Sequence, residues 1–215
     1  MLGVTTIVYW VSPVAVIDIK YSLLIWTGAL LLVSAYYWPK VSPNPVALTI
    51  VFAIGLTAII KILNTWTPVT PIGIVMTTLG GMIFCASLFA MNLGHWYLNV
   101  HGLPISHLLR SVYVFWGLCA LRAVLDIYLL ATQTILWRGE PYSMVQFLST
   151  IEGFLVLLAI LFGTVFPLIC LYFVKGTLDV KSTQSATGIL YAILCGVVIG
   201  DITYKYYFLK YGIVL

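Results

Sequence analysis

Four ionisable residues lie inside long apolar stretches of the chain: Arg122, Asp126, Glu152 and Asp201. A charged side chain inside a membrane is costly, and by default it marks a functional site. Arg122 and Asp126 are four residues apart, so on a helix they share one face and can form an ion pair. We interpret the four as a candidate catalytic cluster that relays protons through a polar cavity. The alternative is a charge-paired network that fixes the register of the helices.

Counting from the polar connections predicts that these side chains meet at one level of the membrane. Asp126 precedes the connection at 133–143 by seven residues, Glu152 follows it by nine, and Asp201 lies eight residues before the end of its apolar run. At about 1.5 Å per helical residue, these counts correspond to depths of roughly 10–14 Å. Antiparallel helices would therefore bring the three carboxyl groups toward Arg122.

A second group of chemically capable side chains lies between residues 94 and 110, where all three histidines occur. Its members are His95, Trp96, Tyr97, His101, His107 and Arg110. Aromatic rings stack on an amphipathic ring, histidine exchanges protons near neutral pH, and arginine binds oxygen or phosphate groups. We predict a pocket for a quinone or a lipid at this membrane interface. The alternatives are a structural interfacial loop and a docking surface for a partner subunit.

The spacing of the histidines disfavours a metal or haem centre. His95 and His101 are six residues apart and lie on different faces of a helix, and no second predicted helix supplies a facing histidine. The spacing also matches no common metal-ligand motif. We therefore expect no metal, no covalent cofactor and no haem b in this chain. A metal or haem shared with another chain is the alternative.

Composition identifies the medium around these residues. Of the 215 residues, 62% are hydrophobic and 7% are charged, and the mean hydropathy is +1.11. Soluble domains carry about 25% charged residues, so this class is excluded. Four cysteines inside apolar runs exclude a disulfide scaffold, and scattered single Lys and Arg residues give no support for nucleic-acid binding. The composition indicates a protein surrounded by lipid.

Six apolar runs are long enough to cross a bilayer as helices. They cover about 20–38, 46–63, 72–93, 108–132, 144–174 and 186–209. Their continuous apolar character favours helices over a barrel. We predict an all-α, polytopic transmembrane helix bundle, with residues 1–215 forming a single integral membrane domain. The apolar stretch 1–16 is broken at Ser12-Pro13 and is too short to cross, so we expect it to lie at the interface or half-inserted.

Short connections between the runs define two membrane faces. Face A carries the connections 39–45, 94–107 and 175–185, and face B carries residue 18, the connections 64–71 and 133–143, and the end of the last run. Basic residues number four on face A and five on face B, so positive charge does not orient the chain. The histidine-containing segment is thus predicted at face A and the ionisable cluster toward face B.

The last apolar run ends in Gly200-Asp201-Ile-Thr-Tyr-Lys205-Tyr-Tyr207-Phe208, followed by Tyr211-Gly212-Ile213. This end resembles the last helix of the NrfD/DmsC-type membrane anchor subunits, which often finish with Gly-Glu, a basic residue and an aromatic pair. The resemblance covers about fifteen residues. This chain has Asp in place of Glu, Lys in place of Arg, and fewer spans than the usual eight or more. The resemblance implies exchange of electrons with quinone, or proton conduction, beside iron–sulfur or cytochrome subunits.

These observations predict an integral membrane subunit of a bacterial respiratory or redox complex in the cytoplasmic (inner) membrane. We expect contact with membrane lipids, with quinone and with cytochrome or iron–sulfur partner subunits, but not with nucleic acid. If the chain takes part in catalysis, we expect it to act as the quinone-linked membrane subunit of an oxidoreductase. The alternatives are a small-molecule or ion transporter, which would move its substrate alone, and a non-catalytic scaffold subunit.

Overall fold

The computed structural model describes residues 17–215 except 41, 43, 67–69, 101 and 138. The described chain forms two compact units, the first ending at Thr70 and the second comprising Pro71–Leu215. The predicted N-terminal interfacial segment at 1–16 lies outside the described residues.

The first unit contains two helices, α1 (Ile17–Tyr37) and α2 (Pro45–Trp66). Asn44 caps α2, because its side-chain oxygen accepts a hydrogen bond from the Val46 amide at 2.9 Å, and Pro45 takes the first helical position. The helices approach closely at Gly55, where a Cβ atom would lie 2.4 Å from the indole ring of Trp26. The missing side chain of Gly55 therefore makes room for this tryptophan.

The second unit is built from four long helical segments. In chain order its elements are α3 (Pro71–Asn99), α4 (Ser106–Thr132), β1 (Thr134–Trp137), β2 (Glu140–Ser143), α5 (Met144–Leu148), α6 (Ile151–Ile160), a π-helical turn (Leu161–Val165), α7 (Phe166–Asp179) and α8 (Thr183–Tyr211). Its core is formed by facing apolar side chains of α3, α4, α7 and α8, such as Ile83, Phe115, Leu171 and Ile193.

Six helical segments among the described residues are long and apolar enough to cross a membrane. Four of them begin at Asp18, Pro45, Pro71 and Ser106, and the other two cover Ile151–Asp179 and Thr183–Tyr211. The chain is a multi-pass integral membrane protein, and the predicted all-α, polytopic fold is confirmed. A short antiparallel hairpin, β1 with β2, occupies the connection at 133–143. There Trp137 packs on Phe147 and Tyr211, with ring centroids 4.9 and 5.2 Å away.

The fifth apolar run differs from the prediction of one helix over 144–174. A capping box between Ser143 and Gln146 begins α5, which ends after one turn. Thr150 then caps a new helix by accepting a hydrogen bond from the Gly153 amide at 3.0 Å. The membrane-spanning segment therefore begins at Ile151. The break falls at Ser149 and Thr150, two polar residues that interrupt the apolar run.

Pro167 explains the π-helical turn inside this span. Proline has no N–H group to donate to the carbonyl four residues earlier, so the regular helical pattern cannot continue through it. The Phe166 amide instead donates to the Leu161 carbonyl, which is the wider π-type spacing. On this turn Gly163 meets Gly200 of α8, and a Cβ atom on Gly200 would lie 2.2 Å from the Gly163 Cα. Backbone contact between these helices thus requires glycine at position 200.

Candidate functional site

A groove of about 700 Å³ lies between α3 and α4 at the end of the unit that carries the 100–105 connection. One side of the groove is formed by residues at helical spacing on α3, namely Cys85, Phe89, Leu93 and Trp96. The other side is formed by residues on one face of α4, which include Val114. From Cys85 to Trp96 the groove follows α3 for about 16 Å at 1.5 Å per residue. That length is close to half the thickness of a bilayer core of about 30 Å. The groove therefore runs from the membrane interface to about mid-bilayer.

Polar side chains are confined to one end of the groove. Trp96 and Tyr97 of α3 meet His107, Arg110 and Ser111 of α4 there, whereas the rest of the lining is apolar. Arg110 carries the only formal charge among the described lining residues. Its guanidinium group makes no hydrogen bond or ion pair within the described part of the chain. The groove thus presents unoccupied donors at the interface and an apolar channel below them.

The connection beside the polar end is held in a defined conformation. The Tyr97 hydroxyl donates to the Pro104 carbonyl, and Gly102 has a φ of 86°, a left-handed conformation that glycine adopts without strain. Leu103 of the same connection lines the groove. Tyr97 therefore both lines the groove and holds the connection that closes its end.

Of the six side chains predicted for this pocket, the structure brings four together: Trp96, Tyr97, His107 and Arg110. His95 is exposed on α3 and does not line the groove. His101 lies outside the described residues. Within the described ranges no three His, Cys, Asp or Glu side chains are grouped so that they could hold a metal ion.

Arg122 is the centre of a buried network in the second unit. Its side chain is 3% exposed and donates through Nε to Asp126 Oδ1 at 3.1 Å and through Nη1 to the Met76 carbonyl at 3.0 Å. Nη2 donates to the main-chain oxygen of Leu215 at 2.5 Å. The guanidinium carbon also lies 4.2 Å from the centre of the Tyr204 ring. The charge is therefore shared among a carboxylate, two main-chain oxygens and an aromatic face.

Asp126 is equally well satisfied. Its second oxygen, Oδ2, accepts hydrogen bonds from the Thr164 hydroxyl at 2.8 Å and from the Tyr204 hydroxyl at 3.1 Å. Thr164 lies on the π-helical turn and Tyr204 lies on α8, so the carboxylate ties three helical segments together. A buried ion pair in which every nitrogen of the guanidinium and both oxygens of the carboxylate make hydrogen bonds holds the register of its helices.

Asp201 lies beside this network without forming an ion pair with Arg122. Its Oδ2 accepts from the Lys205 ammonium at 2.5 Å. Its Oδ1 lies 2.8 Å from the position that a Cβ atom on Gly80 would occupy, and Arg122 Nη1 lies 3.5 Å from the same position. The absence of a side chain on Gly80 thus lets the carboxylate and the guanidinium approach across α3.

Glu152 occupies a different place from the one that the depth count predicts. Because the span begins at Ile151, Glu152 is in the first turn of α6 and not nine residues inside the membrane. An acid in the first turn is favoured by the helix dipole. The Tyr207 hydroxyl donates to the Glu152 carbonyl, and the hydrogen bonds that hold Arg122 and Asp126 come from other residues. The structure therefore brings Arg122, Asp126 and Asp201 together and places Glu152 at the end of the span.

No family model, no curated protein and no solved structure matches this chain. The interpretation of its sites accordingly rests on their geometry and chemistry.

Thr164 and Tyr204 are the functional candidates that the ionisable-residue argument omits. Lys205, which the sequence places at the end of the last run, pairs with Asp201 at the helical spacing of four residues. Thr164 and Tyr204 carry no charge, and their contact with Asp126 depends on the rotation of two other helices. In the groove, the apolar stripe through Cys85 and Phe89 continues the face of Trp96, a signal that helical periodicity does contain.

Proposed function

We propose that this membrane protein binds a quinone in the groove between α3 and α4, as a subunit of a redox complex in the bacterial cytoplasmic membrane. The observation that carries the proposal is the separation of polar and apolar lining. Arg110 and His107 offer hydrogen-bond donors at the membrane interface, and the channel from Phe89 to Cys85 offers an apolar surface for a tail. The volume of about 700 Å³ falls within the roughly 300–1,000 Å³ of ligand pockets.

The chemistry of the polar end supports a head group with acceptor oxygens. Arg110 donates and never accepts, and the exposed Trp96 and the half-buried Tyr97 beside it provide flat surfaces for stacking. A quinone ring carries two carbonyl acceptors on a flat ring and joins an apolar tail. A phospholipid shares the acceptor oxygens and the tail but lacks the ring, and is the competing occupant.

Two native cysteines provide the test. Cys85 lines the groove and is exposed, and Cys195 is exposed on α8 away from it. We expect decylubiquinone to slow labelling of Cys85 by a lipid-soluble maleimide several-fold in phosphatidylcholine nanodiscs, with labelling of Cys195 unchanged. Arg110→Gln should remove most of this protection, since it deletes the charged donor. Equal slowing at both cysteines, or protection that survives Arg110→Gln, would count against the quinone site.

The same assay separates quinone from lipid. If nanodiscs containing phosphatidylglycerol protect Cys85 without decylubiquinone, and added quinone has no further effect, the groove binds anionic lipid instead. Native mass spectrometry of protein extracted gently from its own membrane tests the redox-complex part of the proposal. Co-purified cytochrome or iron–sulfur subunits support it, and a chain carrying only phospholipid contradicts it.

A further inference from the structure

The carboxylate of Asp201 has two different surroundings. One oxygen is bound to the Lys205 ammonium, and the other faces Arg122 across Gly80 without a direct ion pair. This oxygen accepts no hydrogen bond within the described part of the chain. Asp201 thus differs from Asp126, whose two oxygens accept three hydrogen bonds.

Two small cavities lie at this point. Their volumes are about 20 and 10 Å³, and both are lined by Arg122, Asp201 and Tyr204. The larger also touches Lys205 and Thr77. A single water needs roughly 10–15 Å³ and two to four polar partners. The larger cavity therefore has the volume and the polar groups to hold one water between the carboxylate and the guanidinium.

Side-chain exposure rises from Arg122 on α4 through Asp201 to Lys205, both on α8. The side chain of Arg122 is 3% exposed, that of Asp201 is 17% exposed, and that of Lys205 is 44% exposed. Lys205 lies one turn nearer than Asp201 to the end of α8 that belongs to face B. The ammonium group thus links the carboxylate to the exterior at that face, whereas Asp126 has no such exposed neighbour in its network.

The charged and titratable groups around Asp201 are few. Its own helix supplies Lys205 and Tyr204, α4 supplies Arg122, and the residues of α3 that face it, Thr77 and Gly80, do not ionise. Among the described residues, Asp126 is the other acidic side chain of the network, and Arg122 is already paired with it. Arg122 also donates to the main-chain oxygen of Leu215, which lines the larger cavity. A proton that binds Asp201 therefore leaves that ion pair intact and raises the charge of the site by one.

We propose that Asp201 is a proton-binding site that exchanges with water at face B through Lys205 and the adjoining cavity, while the Arg122–Asp126 pair stays ionised. The proton comes from solvent water at face B and binds the free oxygen of the carboxylate. Lys205 keeps its own three protons before and after the exchange. This site is independent of the ligand groove, and its test does not require a quinone.

Infrared spectroscopy of the full chain in phosphatidylcholine nanodiscs tests the proposal. Acidification of the wild type should produce the carbonyl stretching band of a protonated carboxyl group in apolar surroundings, and Asp201→Asn should lose that band. Lys205→Met should change the band relative to the wild type, because the carboxylate has lost its ammonium partner. Lys175→Met is the matched control, since it removes the exposed Lys175–Asp179 pair of the same four-residue spacing.

Two results would overturn the proposal. If Asp201→Asn keeps the apolar-environment band, the exchanging carboxyl is another one, with Asp126 the first candidate. If Lys205→Met and Lys175→Met give the same titration as the wild type, Lys205 does not link the site to the exterior. Size-exclusion elution and circular dichroism of each variant, compared with the wild type, verify that the fold is retained.

Discussion

Gly200→Ala is the most direct test of how the second unit is held together. The added Cβ would lie 2.2 Å from the Gly163 Cα and 2.5 Å from the Gly163 nitrogen. Carbon atoms in contact are normally about 3.5–4.0 Å apart, so the π-helical turn and α8 must separate by more than about 1 Å. The atoms in the way are backbone, which cannot rotate aside as a side chain can. Overpacking of this kind costs about 1–3 kcal/mol.

The separation would also disturb the buried network. Tyr204 lies one turn after Gly200, and Thr164 follows Gly163 directly, so both hydroxyl donors to Asp126 would move. Alanine in place of glycine inside a helix favours folding by up to about 1 kcal/mol, and this gain acts against the clash. We therefore need a control that has the gain without the clash.

Gly188→Ala on the same helix is that control, because a Cβ atom there has no heavy atom within 4 Å. We expect Gly200→Ala to be less stable than Gly188→Ala by about 1–3 kcal/mol, the cost of the clash alone, because both variants have the same propensity gain. Unfolding with sodium dodecyl sulfate in mixed micelles, followed by circular dichroism, measures the difference. Equal unfolding midpoints for the two variants would refute the close contact between Gly163 and Gly200.

Two further predictions concern single side chains of the second unit. Arg122→Met should lower the free energy of unfolding by about 3–5 kcal/mol, because it leaves the Asp126 carboxylate buried without its cation. Lys175→Met breaks an exposed pair and should leave the unfolding midpoint in the same micelle titration nearly unchanged. A similar small cost for both variants would show that the buried pair does not hold the fold. Tyr97→Phe should speed deuterium exchange of the backbone amides in the 102–105 connection several-fold, because the hydrogen bond to the Pro104 carbonyl is lost. Unchanged exchange there would show that this bond does not hold the connection.

Features that depend on neighbours along one helix were predictable from the sequence. The six spans follow from apolar runs, and the Arg122–Asp126 pair follows from a spacing of four residues. The groove was predictable in part. Trp96 and Tyr97 lie just before a short connection, and His107 and Arg110 lie just after it. In each case the chain itself keeps the partners close, so no tertiary information is required.

Features that depend on how helices face each other were not predictable. Thr164 and Tyr204 meet Asp126 only because of the π-helical turn and the rotation of α8. The predicted depth of Glu152 was wrong because Thr150 begins a new helix inside the run that was predicted as one span. The polar pair Ser149-Thr150 is the sequence signal of this boundary, but a count of residues from the preceding connection passes over it.

The spacing of Arg122 and Asp126 has a consequence for how the protein is made. An arginine near the centre of a helix costs about 2.5–3.5 kcal/mol when that helix is inserted. Thr164 and Tyr204 belong to segments that are synthesised after α4, so neither can assist when α4 enters the bilayer. Asp126 is carried by the same helix and Met76 by the preceding one. The helix therefore delivers its positive charge to the lipid together with the counter-charge, and later helices close around a pair that is already formed.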